Sequence, residues 1–393
     1  MRGDAWIWGI YWLLFAISII EISSATSSLA YKASTNDNPL VRHTSFLVLG
    51  LFFLVLTFQS LASRRPKSIE YIGGIFYVLG VVLMLLMPIF GHEVNGAKRD
   101  ILGIQPVELC KVGLVVSLCS VINMRNEVFY RWKFFRSRTR GRRYFLMLAM
   151  IAMAVLPILL QNLSSALILG MVAFFIMYLG NVKLSYLLKT LGILATLGGV
   201  FLLLLFWLHN VNLGREKDVD LGLLQRATTW EHRIFDEEEV PLVQQEINDD
   251  NLQEMYAHMA IANSRGYGKF FGNSQMRDYL PQAYSDFIYA IIFEETGIEG
   301  AAVVMLLYFA LLWRCFKISL KTNDPVKRLL MLGIPLLIVV QALVHMGVCT
   351  GAMFVTGQPL PLVSRGGMSI LGTSVCFGIL CGLSHSIQKE SEK

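Results

Sequence analysis

Apolar runs of about 20 residues recur along the chain, each long enough to cross a ~30 Å hydrocarbon core as a helix. Ten such runs are expected to be spans: 5–25, 44–62, 69–90, 107–123, 144–160, 164–180, 185–208, 287–313, 329–350 and 368–387. Only 16% of the 393 residues are charged and 55% are hydrophobic, against roughly 25% charged in soluble domains. A soluble enzyme, a disordered chain and a fibrous protein are therefore excluded, and the fold class expected is an all-α polytopic membrane protein forming a single transmembrane domain over 1–393. The first run is read as a span rather than a cleavable leader, because its apolar stretch is too long and no small-residue cleavage site opens a soluble chain. The six cysteines (110, 119, 315, 349, 376 and 381) lie in or beside apolar runs without pairing rhythm or metal-ligand spacing, and read as small packing residues.

Charge orients the spans. With the N-terminus inside, the short inner segments hold 21 of the 34 lysines and arginines, eight of them between Arg125 and Arg143. Dense positive charge in short loops is the cytoplasmic signature, so both termini are expected in the cytoplasm. Trp6, Trp8, Trp12, Trp207 and Trp313 fall near span ends, where interfacial indoles belong.

One polar stretch, 209–285, interrupts the pattern with 13 acidic against seven basic residues. A loop this long is usually functional when ordered, and it is expected to be an extracytoplasmic lid or a solvated linker. Within it Leu252, Met255, Tyr256 and Met259 follow helical spacing after Asp249 and Asp250, and Thr228 with Glu231 can form a capping box.

Three constellations carry chemistry. The first runs from Arg277 to Gly300. Asp286 stands where the polar stretch meets the eighth span, among Tyr284, Phe287 and Tyr289. It reads either as a general base or as the N-cap of that helix. Glu294 and Glu295 lie about two turns deeper and read as members of buried ion pairs before catalytic groups. The second is Gln105-Pro106-Val107-Glu108 with Lys111 one turn on, a helix start bearing an intramembrane ion pair. Ahead of it, Lys98 and Arg99 follow an Asn95-Gly96 turn and are either a phosphate-binding pair or a solvated one. The third is Thr356 to Gly367, where two prolines and three glycines exclude a continuous helix. Irregular backbone at membrane depth persists only where it is buried in protein or lines a wet cavity. Arg365 there either presents its guanidinium to an anion or belongs to a plain re-entrant turn. A glycine-rich run from Ser264 to Asn273, with Lys269, reads as a flexible basic loop, and His345 as a hydrogen-bonded residue between helices.

These blocks together resemble the SEDS family (shape, elongation, division and sporulation proteins). The resemblance rests on NGAKRD at 95–100, QPVELCK at 105–111, LSSALIL at 163–169, YLPQAYSDFIYAIIFEETGIEGA at 279–301 and GQPLPLVSRGGMS at 357–369. The Tyr-Ser-Asp-Phe-Ile-Tyr and Ser-Arg-Gly-Gly forms look most like the division (FtsW) subgroup, with the rod-shape (RodA) subgroup as the alternative.

The resemblance implies a peptidoglycan glycosyltransferase that polymerises lipid II at the periplasmic face of the bacterial inner membrane, with Asp286 as the essential aspartate and general base. Lys98, Arg99, Arg365, Lys269 and Ser364 are the candidate contacts for substrate or diphosphate. Glu108, Lys111, Glu294 and Glu295 are assigned to structural ion pairs. The expected cofactor is at most a divalent cation, Mg2+ or Mn2+. Expected partners are a class B penicillin-binding transpeptidase and other division-machinery membrane proteins, without nucleic acid. The competing reading is a lipid II flippase or other transporter, for which the intramembrane charges would line a polar path. The family pattern departs here at Tyr284-Ser285, Arg365, Asp100 and His345, and in the Gln161–Ser165 block.

Overall fold

A computed structural model describes residues 3–27, 38–63, 67–94, 97–101, 103–123, 140–192, 196 and 251–392. The chain divides into two units, one of residues 1–180 and 248–393, the other of 181–247. In the second unit 184–192 is helical, with the Thr190 hydroxyl donating to the Tyr186 carbonyl at 2.9 Å. The rest of the expected span 185–208 and the Thr228–Glu231 capping box lie almost entirely outside the described residues.

The first unit is built of helices. They are α1 (Ala5–Ala25), α2 (Pro39–Ser63), α3 (Lys67–Phe90), α4 (Pro106–Asn123), α5 (Arg140–Gln161), α6 (Leu163–Leu179), α7 (Leu252–Asn263), α8 (Ile288–Ser319), α9 (Pro325–Cys349) and α10 (Gly367–Ser391). Seven of them (α1–α4 and α8–α10) are long and apolar enough to cross a membrane, and shorter apolar helices cover Arg143–Leu159 and Leu163–Leu179. One antiparallel hairpin, β1 (His92–Val94) and β2 (Ala97–Asp100), precedes α4; its register pairs His92 with Asp100 but Glu93 with Lys98, which leaves Arg99 as the bulge residue.

Capping residues set the helix starts. Asp4 accepts the N–H groups of Trp6 and Ile7, Asn162 that of Ser165, and Asp324 those of Val326 and Lys327 just before Pro325 at the first helical position. Each cap satisfies donors that a helix leaves unpaired, at a membrane boundary where water is scarce. Asp4 also takes a two-pronged bond from Arg314 at 2.7–3.1 Å, tying the start of α1 to α8.

Burial follows lipid logic rather than aqueous logic. Helices α4, α9 and α10 are mostly enclosed, whereas α2 and α3 are enclosed over only about a quarter of their apolar windows. Their outer faces expose Phe52, Ile75, Val78 and Leu85. Small residues let backbones approach within the bundle: a Cβ at Gly113 of α4 would stand 2.3 Å from the Tyr77 nitrogen of α3, and one at Gly80 of α3 would stand 2.7 Å from the Cys110 nitrogen. All six cysteines are free and buried.

The polar stretch read as 209–285 is described from 251 onward. Its predicted helix is present as α7, with Asn251 rather than an aspartate at the N-cap position. From there to α8 the chain belongs to the first unit and packs against the helices instead of standing apart as a linker.

Because the α3–α4 crossing has no room for a methyl group, Gly113→Ala should lower stability by about 1–3 kcal/mol. The readout is the midpoint of thermal unfolding in detergent. Gly9→Ala, where nothing lies within 4 Å of the added carbon, is the matched control and should not fall.

Candidate active site

The site is organised by a break in α8. Gly297 has φ +69° and ψ −167°, a backbone state reserved in practice for glycine, and the helix resumes beyond it. In an unbroken helix the carbonyls of residues 294 and 295 would accept from residues 298 and 299. Here Glu294 O accepts the Lys269 N–H at 3.0 Å, Glu295 O accepts the Phe270 N–H at 2.8 Å, and the Ile298 N–H turns to Gly266 O at 3.0 Å. The glycine-rich run 264–273 is thus docked into the break. It is not the flexible loop its composition suggests, because it supplies the partners that the broken helix needs. Gly268 faces Gly297 so closely that a Cβ on it would stand 2.5 Å from the Glu295 carbonyl oxygen.

The two glutamate side chains complete this junction. Glu294 is fully buried; its carboxylate accepts the N–H groups of Gln275 (3.1 Å) and Met276 (3.2 Å), the Ser274 hydroxyl, and the Lys269 ammonium at 3.3 Å. Glu295 accepts the N–H groups of Gly272 (3.1 Å) and Ser274 (3.3 Å) and the hydroxyl of Ser24 on α1. Arg277 then reaches α1, donating to the Ser24 carbonyl and hydroxyl and to the Gly272 carbonyl.

From this footing an arch, residues 276–287, returns to the start of α8. It begins with a 3-10 turn at Met276–Asp278 and passes Gln282 at φ +58°. At its end Ser285 and Asp286 both donate their N–H groups to Gln282 O at 3.0 Å. The helix N-cap position is Phe287, so Asp286 stands one residue ahead of it, half-buried.

Against the arch lies the loop between α9 and α10. The Arg365 N–H donates to Tyr284 O at 2.9 Å, and the Arg365 guanidinium lies over the Tyr284 ring, 4.9 Å from its centre. Burial lowers the Arg365 pKa from its ordinary value, and the charge of Arg42 adds to that effect. Gly357, at φ +61°, comes so near that a Cβ on it would stand 3.5 Å from Asp286 Oδ2.

The loop is pinned from four helices. His345 of α9 takes the Tyr289 N–H on Nε2 at 3.4 Å and donates from Nδ1 to the Gln358 carbonyl at 2.7 Å, a pattern that selects the neutral ring protonated on Nδ1. The Gln358 amide donates to the Ser165 hydroxyl on α6 at 2.6 Å. Tyr308 of α8 donates to the Pro361 carbonyl at 2.7 Å, and Ser18 of α1 to the Val363 carbonyl at 3.0 Å. Between those last two anchors Leu362 is held at φ +69°, a state costing a leucine about 1–2 kcal/mol.

The other expected residues are placed as follows. Ser364 is buried and its hydroxyl accepts the Leu360 N–H at 2.7 Å, so it staples the loop. Lys269 is bonded to Glu294 and Gln275, its charge already matched. Glu108 and Lys111 form an ion pair at 2.7 Å on α4, facing Gly372 of α10. Of Lys98 and Arg99 only the backbone, in β2, is described. Among the described residues no three His, Cys, Asp or Glu side chains gather as a metal-ligand set. A divalent cation shared between one carboxylate and substrate phosphates requires no such set.

Ser18, Ser24, His43 and Arg277 join the site without having been singled out from the sequence. His43 bonds Ser18 through Nε2 at 2.8 Å and is buried, as is Glu21 one turn before Ser24 on α1. An ionisable residue in or beside an apolar run was the available signal for Glu21 and His43; for the serines there was none.

Comparison with known proteins supports one family. The model of the cell cycle protein family of FtsW, RodA and SpoVE matches residues 4–389. The chain is 30% identical to the probable peptidoglycan glycosyltransferase FtsW of Haemophilus influenzae, covering 96% of this chain and 89% of that one. It is 29% identical to the protein of the same name from Geobacter metallireducens, over 94% and 92%. Among solved structures, a chain of a peptidoglycan synthase complex coordinating polymerization and crosslinking superposes with a TM-score of 0.69 at 22% identity, covering 98% of both chains. Thermus thermophilus rod shape determining protein RodA superposes with 0.64 at 22% identity, over 98% and 97%. The chain belongs to the FtsW, RodA and SpoVE family of cell cycle proteins.

Proposed function

We propose that this protein is a peptidoglycan glycosyltransferase of septal cell-wall synthesis, polymerising lipid II into β-1,4 glycan strands. The observation that carries this reading is the setting of Asp286: a half-buried carboxylate at the mouth of α8, approached by Gly357 of the α9–α10 loop, with Arg365 of that loop stacked on Tyr284 two residues before it. The family membership and the naming of its FtsW relatives support the activity and the division role.

In this reading the 4-hydroxyl of the GlcNAc unit of one lipid II attacks the anomeric carbon of MurNAc at the end of the growing strand. The C1–oxygen bond to undecaprenyl diphosphate breaks as the new bond forms. An α-linked diphosphate becoming a β linkage requires inversion, hence one in-line displacement with a base for the hydroxyl proton. Asp286 takes that proton. Arg365 balances the charge that develops on the departing diphosphate, with Lys98 and Arg99 as further cations on the hairpin. Its position over the Tyr284 ring orients the guanidinium before substrate arrives. A divalent cation bound to the diphosphate would share that charge.

Orientation follows from the same chemistry. The lipid tail stays in the bilayer while the sugars react outside it, so the arch and the 357–366 loop face the periplasm of the inner membrane and both termini face the cytoplasm. A class B penicillin-binding transpeptidase is the proposed partner, because cross-linking the strands is a separate reaction.

Three outcomes are expected. Asp286→Asn should lower lipid II polymerisation at least about 100-fold while the protein remains folded and inserted, read as glycan strands on a gel; strands formed at the wild-type rate would reject the base. Arg365→Gln should reduce kcat/KM about 10- to 100-fold, the range expected for loss of one charge-assisted contact. Finally, adding the cognate transpeptidase should raise the polymerisation rate of the wild type and leave Asp286→Asn inactive.

A further inference from the structure

We propose that Glu294 is a positioning residue for Asp286, acting by anchoring the far foot of the arch; the proposal rests on the reading of Asp286 as the base. The geometry is a closed circuit. Asp286 and Glu294 are eight residues apart, Glu294 on α8 and Asp286 just ahead of its N-cap. The arch leaves the neighbourhood of Glu294 at Met276 and returns to the same helix at Asp286. Its second foot is α8 itself, and its first is held by the Glu294 carboxylate through the consecutive N–H groups of Gln275 and Met276 and the Ser274 hydroxyl.

Ser274 transmits this hold into the arch. Its hydroxyl donates to Glu294 and accepts the Arg277 N–H at 3.2 Å, while the Arg277 side chain grips Ser24 on α1. Four backbone N–H groups, at residues 272, 274, 275 and 276, converge on two neighbouring carboxylates. That is more than a single buried ion pair needs. Lys269 supplies one positive charge, but the directional bonds run to the backbone that begins the arch. A carboxylate has acceptors on both oxygens, and the donors divide between them: Oε1 takes Gln275, Lys269 and the Asn263 amide of α7, Oε2 takes Met276 and Ser274. An amide at this position would present its NH2 to one of these sets, and that set would lose its acceptor. The foot would then loosen, its remaining hold being the Glu295 carboxylate and the Arg277 contact with Ser24, while the ends of α8 stayed in place. A shift near 1 Å at a reacting group is enough to cost about 100-fold in rate.

The test uses the full chain in proteoliposomes with its transpeptidase, and a nitroxide on Asp278→Cys. Asp278 is half-exposed on the arch and the six native cysteines are buried. Glu294→Gln should lower kcat for lipid II about 10- to 100-fold with KM within about threefold, and the nitroxide spectrum should narrow as the arch gains mobility. Ser274→Ala, which deletes one hydroxyl in the same circuit, should give a smaller change of the same kind, and it carries the test if Glu294→Gln does not insert. Asp286→Asn should abolish turnover and leave the nitroxide immobile. Activity lost with the nitroxide still immobile, or a mobile arch with unchanged kcat, would overturn the proposal. Wild-type turnover by Asp286→Asn would instead remove the base assignment, and the spectra would still decide whether Glu294 holds the arch.

Discussion

In hydrocarbon no water pairs with a broken helix, so the interruption of α8 at Gly297 governs the surrounding structure. The freed carbonyls of Glu294 and Glu295 must find donors, and the run from Gly266 to Phe270 supplies them. With that run docked beside the helix, the adjacent carboxylates meet the next backbone N–H groups, and the chain is turned back towards the start of α8. The docking of the polar segment and the placement of Asp286 are consequences of one glycine conformation and the hydrogen bonds it demands.

The second half of the site is held by the same principle. A loop with prolines at 359 and 361 lacks two N–H donors, so only Leu360 O is met from within it, by the Val363 and Ser364 N–H groups, and three further carbonyls are met from the surrounding helices: Gln358 by His345, Pro361 by Tyr308, Val363 by Ser18. Irregular backbone survives at this depth because each helix contributes a single donor. The left-handed Leu362 lies between two such anchors and is tolerated for that reason. Arg365 joins the two halves through its backbone bond to Tyr284 and its guanidinium over the same residue's ring. The result is a rigid surround for Asp286, as suits a displacement that depends on alignment and charge.

Much of the architecture was legible in the amino-acid order. Apolar runs coincide with nine of the described helices, seven of them long and apolar enough to cross a membrane; α8 and α9 extend beyond the runs at their polar ends, where Lys317 and Arg328 can reach the interface. The 3.6-residue rhythm after Asp250 announced α7, and the i,i+3 spacing of Glu108 and Lys111 announced their contact. Composition misled at Ser264–Asn273, where glycines that suggest looseness instead permit a close backbone approach to Gly297. The neighbours of Lys269 and Ser364, Glu294 and the Leu360 N–H, are revealed by no spacing.

What the sequence by itself determined is therefore local: apolar helices of membrane length, the helical rhythm of α7, the Glu108–Lys111 pair and the blocks that mark the family. Only the tertiary structure decided which polar groups meet. Gln358 and Ser165 are 193 residues apart, Ser18 and Val363 are 345 apart, and Arg277 and Ser24 are 253 apart. Periodicity carries no information over such separations, because a lone serine in an apolar run looks the same whether it faces lipid, a neighbouring helix or a loop. The packing of the helices makes that choice, and with it the surroundings in which one aspartate acts.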